Sequence, residues 1–582
     1  MTKIRYSVSI KDMHGHMFHV QTRVDGVNAG SVELVMPVWT PGSYLVRDFS
    51  RNVVRFTATD TRGRRLKWTK VTKNRWHIES RGKEIVAGYD LYANELTVRA
   101  SHLDAAHAFI TGSSIFMYVD GLRCAPVEVD LNPPPGWMVA TGLEKVRGRN
   151  HRYCAKNYDE LIDAPIEMGR FELSSFTVNG VNHRVVTCGR AEYDRRRFLR
   201  DLTRVVKEVI GFFGEVPYEE YLFIIHFVES GGGGLEHRNS TACNIPRHMF
   251  SNEKDYHKVI TLLTHEFFHT WNVKRIMPEG FLSYDLEKET YSKLLWVMEG
   301  FTSYYDTIIP CRAGIYPAKR MLEMYADTIK TYIRTPGRKV ETLEEASFDA
   351  WIKYYKPDEN TPNVSISYYN KGAVVGLILD LYIRRETGNR RSLDDVMRYL
   401  WKEYGAAGKG IKEEEIQGIM EKVTGLDLTR FFDSYIRGTK EIRYNDFLGV
   451  AGLAFRPQKR SEDEEGKGYL GIDIRTSGDR VFVRHVYTGG PAHKSGIYAN
   501  DEIIAFNGIR VDAETFKKRE RALPAGKRVT VSLFRRGLLT EVGVVPSVAP
   551  SEKYLIEKVK KPSRSQKWIY EKWSGEKWRK KK

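Results

Sequence analysis

His265-Glu266-Phe267-Phe268-His269 sits inside Lys258 to Val273, a stretch whose apolar residues recur at helical spacing. Residues four apart lie about 40° apart around a helix, so both imidazoles project from one face and are able to hold one small ion. Two imidazoles and a carboxylate suit Zn²⁺ and leave a fourth position for water. Glu266, beside the first candidate ligand, is then placed to take a proton from that water. The competing reading is a pair of satisfied core histidines on an apolar helix.

A third ligand has to come from further along the chain. Glu289 lies 20 positions after His269 and Glu299 lies 30 after it. Spacing favours Glu289, which is close to the interval of thermolysin-like zinc peptidases. The surroundings favour Glu299: it belongs to the apolar stretch Leu295 to Tyr305, which reads as a helix able to pack beside the first, whereas Glu289 belongs to the polar run Glu287-Lys288-Glu289. We expect Glu299.

Upstream, the strand-like run Tyr221 to Phe227 leads into Gly231-Gly232-Gly233-Gly234-Leu235-Glu236-His237. Glycines let another backbone approach closely, and Glu236 offers a carboxylate to an ammonium group; a flexible loop is the alternative. Downstream, Tyr369-Asn370-Lys371-Gly372 holds a phenol able to steady an oxyanion, although a lone tyrosine is more often a packing residue.

These stretches give the chain a resemblance to the PDZ-containing glycyl aminopeptidase family of zinc metallopeptidases. The likeness also rests on Pro37-Val38-Trp39-Thr40-Pro41-Gly42-Ser43-Tyr44, Leu96-Thr97-Val98-Arg99-Ala100 and Glu299-Gly300-Phe301-Thr302-Ser303-Tyr304-Tyr305. More distantly the chain is similar to aminopeptidase N and leukotriene hydrolase. The resemblance implies an aminopeptidase preferring glycine or alanine and holding one Zn²⁺. By it, His265, His269 and Glu299 are the metal ligands, Glu266 the general base and Tyr369 the oxyanion donor. Glu236, with Gly233, Gly234 and His237, binds the substrate amine end. Two departures stand out: the gap from His269 to Glu299 is longer than in the distant group, and Leu235 and His237 replace a methionine and an asparagine of its amine-binding loop. A zinc endopeptidase, or a PDZ interaction protein with a vestigial peptidase unit, are the alternatives.

The whole chain reads as multidomain α+β. A β-sandwich or saddle domain spans 1–172, and a thermolysin-like catalytic domain with a helical domain spans 173–455. A charged linker follows at 456–467, then a PDZ domain at 468–548. In the PDZ-like segment Tyr469, Leu470, Gly471 and Ile472 form the loop that would bind a peptide C-terminus, and Asn500 stands where glycine is usual. From 549 to 582 we expect a flexible basic tail, with 12 Lys/Arg against 4 Glu after residue 550 and Trp568, Trp573 and Trp578 five residues apart. A solvated extension is preferred there over a surface for single-stranded nucleic acid or an anionic membrane.

Composition bounds the rest. With 582 residues and 41% apolar content the chain fills several cores and is not mainly disordered. The formal charge of +18 is too widely spread to mark a nucleic-acid protein. Five scattered cysteines, none in a C-x-x-C pair, argue against a disulfide framework. No apolar run is long enough to span a membrane and no signal-peptide core opens the chain, so we expect a cytoplasmic protein with peptides as substrates.

Overall fold

The alternation of the opening segment makes strands. In Lys3–Asp12 the residues Ile4, Tyr6 and Val8 are buried and their neighbours are not, the period of two that a half-covered strand requires. This strand lies between Met17–Asp25, antiparallel, and Val127–Asn132, parallel, within a seven-stranded sheet. A four-stranded sheet in the same region runs Met138–Thr141, Ile166–Gly169, His107–Ile110, His102–Leu103. A computed structural model describes residues 3–26, 29–80, 82, 84–458 and 466–579. They divide into two units, the first comprising 1–292, 308–316 and 397–416.

After Phe171 the first unit builds a five-stranded sheet in the order Glu172–Val178, Val181–Cys188, Glu220–Val228, Ser240–Pro246, Gly233–Glu236. Glu220–Val228 is parallel to both neighbours and buried along nearly its whole length, which explains its apolar run Tyr221 to Ile225, followed by His226. The glycine-rich strand is an edge, antiparallel to Ser240–Pro246. Against these last two strands packs the helix Glu253–Phe268. It starts where the Asn252 side chain accepts a bond from the Asp255 N–H, and Glu253 and Asp255 in the first turn complement the helix dipole. Its buried residues Tyr256, Val259, Ile260, Leu263 and Phe267 recur at intervals of three and four.

The second unit comprises 293–307, 317–396 and 417–582. Its helices Ala318–Arg334 and Tyr368–Glu386 pack together, and Tyr304 donates to the buried Asp380 carboxylate at 2.7 Å. The PDZ segment is a sheet of Ile472–Ser477, Arg480–Val486, Glu502–Phe506, Val529–Arg535 and Leu538–Val544 around Leu470, Val481, Ile503, Phe516 and Val531. Asn500 adopts the expected left-handed conformation, with φ 69°.

The structure corrects the reading of the last segment. From 550 to 579 the chain is not a flexible tail: Tyr554–Lys558 pairs antiparallel with Leu453–Pro457, the strand that precedes the PDZ segment. The helix Arg564–Ser574 follows, opened by a Ser563/Gln566 capping box and closed by Gly575 at φ 74°. Trp573 is fully buried and its indole N–H donates to the Tyr304 hydroxyl at 2.9 Å, while the Glu576 carboxylate accepts from the Ala318 N–H. Five-residue spacing does separate the three tryptophans: Trp568 is exposed, Trp573 is in the core, and Trp578 lies edge-on to Tyr570. Among the described residues of this segment the three indoles form no exposed row. The expected linker is partly strand, up to Pro457, and its residues 459–465 lie outside the described residues.

Candidate active site

His265 occupies the last turn of the Glu253–Phe268 helix and His269 follows its end in helical conformation. The two rings lie 4.5 Å apart, nearly perpendicular. Asn272 explains how His269 is oriented. Its carbonyl lies 2.6 Å from His269 Nδ1 and can only accept, so Nδ1 carries the proton and Nε2 keeps its lone pair for an ion. Val273 supports this return of the chain from a backbone φ of 144°, a strained value for a β-branched residue.

Half of the glycine run is strand. Gly231, Gly232 and Gly233 all have positive φ and lead into the edge strand Gly233–Glu236, and a Cβ on Gly234 would stand 2.5 Å from Cγ of Glu266 and collide with its carboxylate. Glycine at 234 is what allows the Glu266 carboxylate to lie against the strand. Arg99 donates to the Gly234 carbonyl at 3.4 Å, and Asn244 on the neighbouring strand donates to the Leu96 carbonyl at 2.9 Å. The stretch Leu96 to Ala100 thus borders the same edge.

Glu236 is 4% exposed and its Oε1 has no hydrogen-bond partner among the described residues. Gly42 faces it with φ 86°, and a Cβ there would come within 2.5 Å of that oxygen. The Pro37 to Tyr44 stretch is pinned by Trp39, whose indole N–H donates to the Asp285 and Lys288 carbonyls, both at 2.9 Å. Glu236, Glu266 and His269 each bring a polar atom to one cluster in which all three lie within 4.8 Å of one another. His237 points elsewhere: its Nδ1 bonds Asp163, which also holds Lys274 Nζ at 2.6 Å and the Arg238 N–H. Despite its burial, Lys274 and His237 keep the Asp163 carboxyl well below the usual carboxylate range. This network ties the end of the glycine-rich strand to the segment after His269. Arg99, Gly42 and Asp163 are the residues sequence reasoning passed over. Arg99 and Gly42 lie in stretches that carry the family likeness, whereas Asp163 has no local signal.

In the second unit Glu299 is 2% exposed within Trp296–Gly300, a wide π-type turn. Gly300 crosses Gly372 of the Tyr368–Glu386 helix so closely that a Cβ on either would come within 2.7 Å of the other's Cα. The glycine that follows Glu299 and the glycine three after Tyr369 therefore let the two segments touch. Burial and then the Glu299 charge push the Tyr369 phenol well above its ordinary pKa, which keeps it a proton donor. Its hydroxyl lies 3.3 Å from that of Tyr355. Glu289 is half-buried on an irregular segment of the first unit. In the PDZ loop Tyr469 ends a short strand, Gly471 has φ 78° and Ile472 begins the next strand, while the Leu470 N–H donates to the buried Glu520 carboxylate at 3.2 Å.

Residues 5–170 match the peptidase M61 N-terminal domain, 258–375 the M61 glycyl aminopeptidase and 468–545 a PDZ domain. The crystal structure of an aminopeptidase N family protein from Idiomarina loihiensis is 32% identical over 97% of this chain and 100% of its own, with a TM-score of 0.92. This chain belongs to the M61 glycyl aminopeptidase family of metallopeptidases. Membership in the M61 family brings with it zinc and peptide substrates. Weaker likenesses are to the M1 zinc metallopeptidase of Deinococcus radiodurans (12% identity, 76% of this chain and 95% of that one, TM-score 0.47) and to native yeast LTA4 hydrolase (12%, 78% and 70%, 0.46). Comparison with curated protein sequences finds no match. Among the described residues no helix is long and apolar enough to cross a membrane.

Proposed function

We propose that this M61 enzyme releases the first residue of peptides with a free amino terminus, favouring glycine, as the family description suggests, or alanine. The observation that carries the reading is the short span between Glu236 and Glu266. Their polar atoms lie within 4.8 Å, about the reach of one residue of peptide chain, whose consecutive Cα atoms are about 3.8 Å apart. An ammonium held at the unpartnered Glu236 oxygen leaves room for one residue before the bond at Glu266.

His265, His269 and Glu299 would hold the zinc; two imidazoles and a carboxylate are its ordinary donor set, and the His269 tautomer fits. Bound there, the metal would lower the pKa of a water and polarise the scissile carbonyl. Glu266 would serve as the base that takes a proton from the attacking water and returns it to the departing amine. Tyr369, whose burial favours the protonated phenol, donates to the developing oxyanion. Glycine at 233 and 234 lets the substrate backbone approach this edge closely, beside Arg99, which already donates to the Gly234 carbonyl. A peptide C-terminus at Leu470 to Ile472 would meet one loop N–H already engaged by Glu520.

The test compares glycyl and alanyl substrates with free and acetylated amines on the zinc-loaded enzyme. Cleavage should vanish on acetylation. Continued cleavage would make the protein an endopeptidase, and neither zinc nor cleavage would leave only a PDZ interaction protein.

A further inference from the structure

Away from Glu236 and Glu266, the first unit holds a second cluster of metal-ligating side chains. His107 and Glu167 come from neighbouring strands of the N-terminal region; Cys188 and His226 are register partners on adjacent strands of the five-stranded sheet. One donor atom from each lies within 4.8 Å of all the others. Glu167, Cys188 and His226 are 0, 5 and 1% exposed, and only His107 reaches towards solvent, beside His102 and Asp104.

The hydrogen bonds around His226 ask for a cation. Asn244 donates through Nδ2 to the Leu96 carbonyl, which turns its Oδ1 to His226 Nδ1 at 3.1 Å. Nδ1 is therefore the protonated nitrogen, and Nε2 of a neutral ring points a lone pair at Glu167 Oε2, 2.9 Å away. Two lone pairs facing each other in a dry interior repel, so a proton or a metal ion has to lie between them. The other carboxylate oxygen meets His107 Nδ1 at 2.9 Å. A second imidazole and a thiol beside this pair exceed what a single proton needs, and an amide oxygen fixing the far nitrogen is the usual support of a ligating histidine.

We propose that His107, Glu167, Cys188 and His226 form a second metal site, for one zinc-class divalent cation. Two nitrogens, an oxygen and a sulfur are a closed, four-coordinate donor set of the kind that structural zinc uses. A tetrahedral ion with bonds of roughly 2.0–2.3 Å sets its donors about 3.3–3.7 Å apart. His226 Nε2 and Glu167 Oε2, now 2.9 Å apart, need to open by less than about an ångström, and donors near the 4.8 Å limit to close by about as much. Binding displaces the thiol proton of Cys188 and any proton shared by Glu167 with the two rings, all released to solvent. The ion would bolt the His107–Ile110 and Ile166–Gly169 strands to the five-stranded sheet. Through Asn244 it would also steady the strand that pairs with Gly233–Glu236.

Cobalt substitution of the full chain tests this independently of turnover. Stripped with a chelator and titrated with Co²⁺, the protein should bind two equivalents, one of them with a sulfur-to-cobalt charge-transfer band in the near ultraviolet. No cysteine belongs to the set His265, His269 and Glu299, so that band reports only the second site. Cys188→Ser should remove the band and leave one equivalent; His265→Ala should remove one equivalent and leave the band. Because the primary reading is on the unaltered protein, a variant that fails to fold does not obscure it. A wild-type protein with no sulfur-to-cobalt band, or a band that survives Cys188→Ser, overturns the proposal and leaves a buried imidazolium–carboxylate pair.

Discussion

Glu266 and Gly234 act as one device, although 32 positions separate them in the sequence. Glu266→Gln keeps the shape and loses the base: zinc content measured by atomic emission should be unchanged while kcat falls about 10³-fold. Gly234→Ala leaves the base and moves it. A methyl group at 234 displaces the Glu266 carboxylate, so kcat should fall about 10²-fold with little change in Tm, a split that steady-state kinetics and a thermal melt read together. The HExxH motif was legible because its chemistry is local and periodic. The reason for glycine at 234 was not, because it lies in the distance between a strand and a helix that no spacing encodes. The same holds for Glu236, whose carboxylate was visible but whose burial against Gly42, nearly two hundred residues earlier, was not.

Elements were readable wherever one face is buried. The alternation of Lys3–Asp12 and the three-and-four spacing of Glu253–Phe268 both follow from a core on one side. The closing helix Arg564–Ser574 was missed for a physical reason: its basic composition resembles a solvated tail, and only Ile569, Tyr570, Trp573 and Ser574 are buried in it. Its boundary signals were present, since Ser563 and Gln566 stand three apart and Gly575 follows its end. Trp573→Ala removes a fully buried indole and its bond to Tyr304, and should cost about 3–5 kcal/mol of stability, read as a lowered midpoint in a urea melt. A melt like that of the wild type would return this segment to the status of a loose tail.

Across the whole chain, the PDZ segment is an insertion between two paired strands and not a terminal appendage. Leu453–Pro457 enters it, Tyr554–Lys558 leaves it, and the Gln458 N–H bonds the Lys553 carbonyl at 2.9 Å, so its ends are already joined across a ladder. Replacing 459–552 with a two-residue Asn-Gly turn should give a folded protein that still hydrolyses short glycyl substrates, checked by circular dichroism and by the rate on a dipeptide. The order of domains along the chain was visible in the sequence; the closure of the helical unit by residues beyond the PDZ segment was not, because strand pairing across about a hundred residues leaves no local trace. Tyr304 waits for Trp573, 269 positions later. Translation therefore delivers the residues next to Glu299 long before it delivers the indole that completes their surroundings, and a ribosome carrying most of this polypeptide would display a hydrolase with its keystone still unmade.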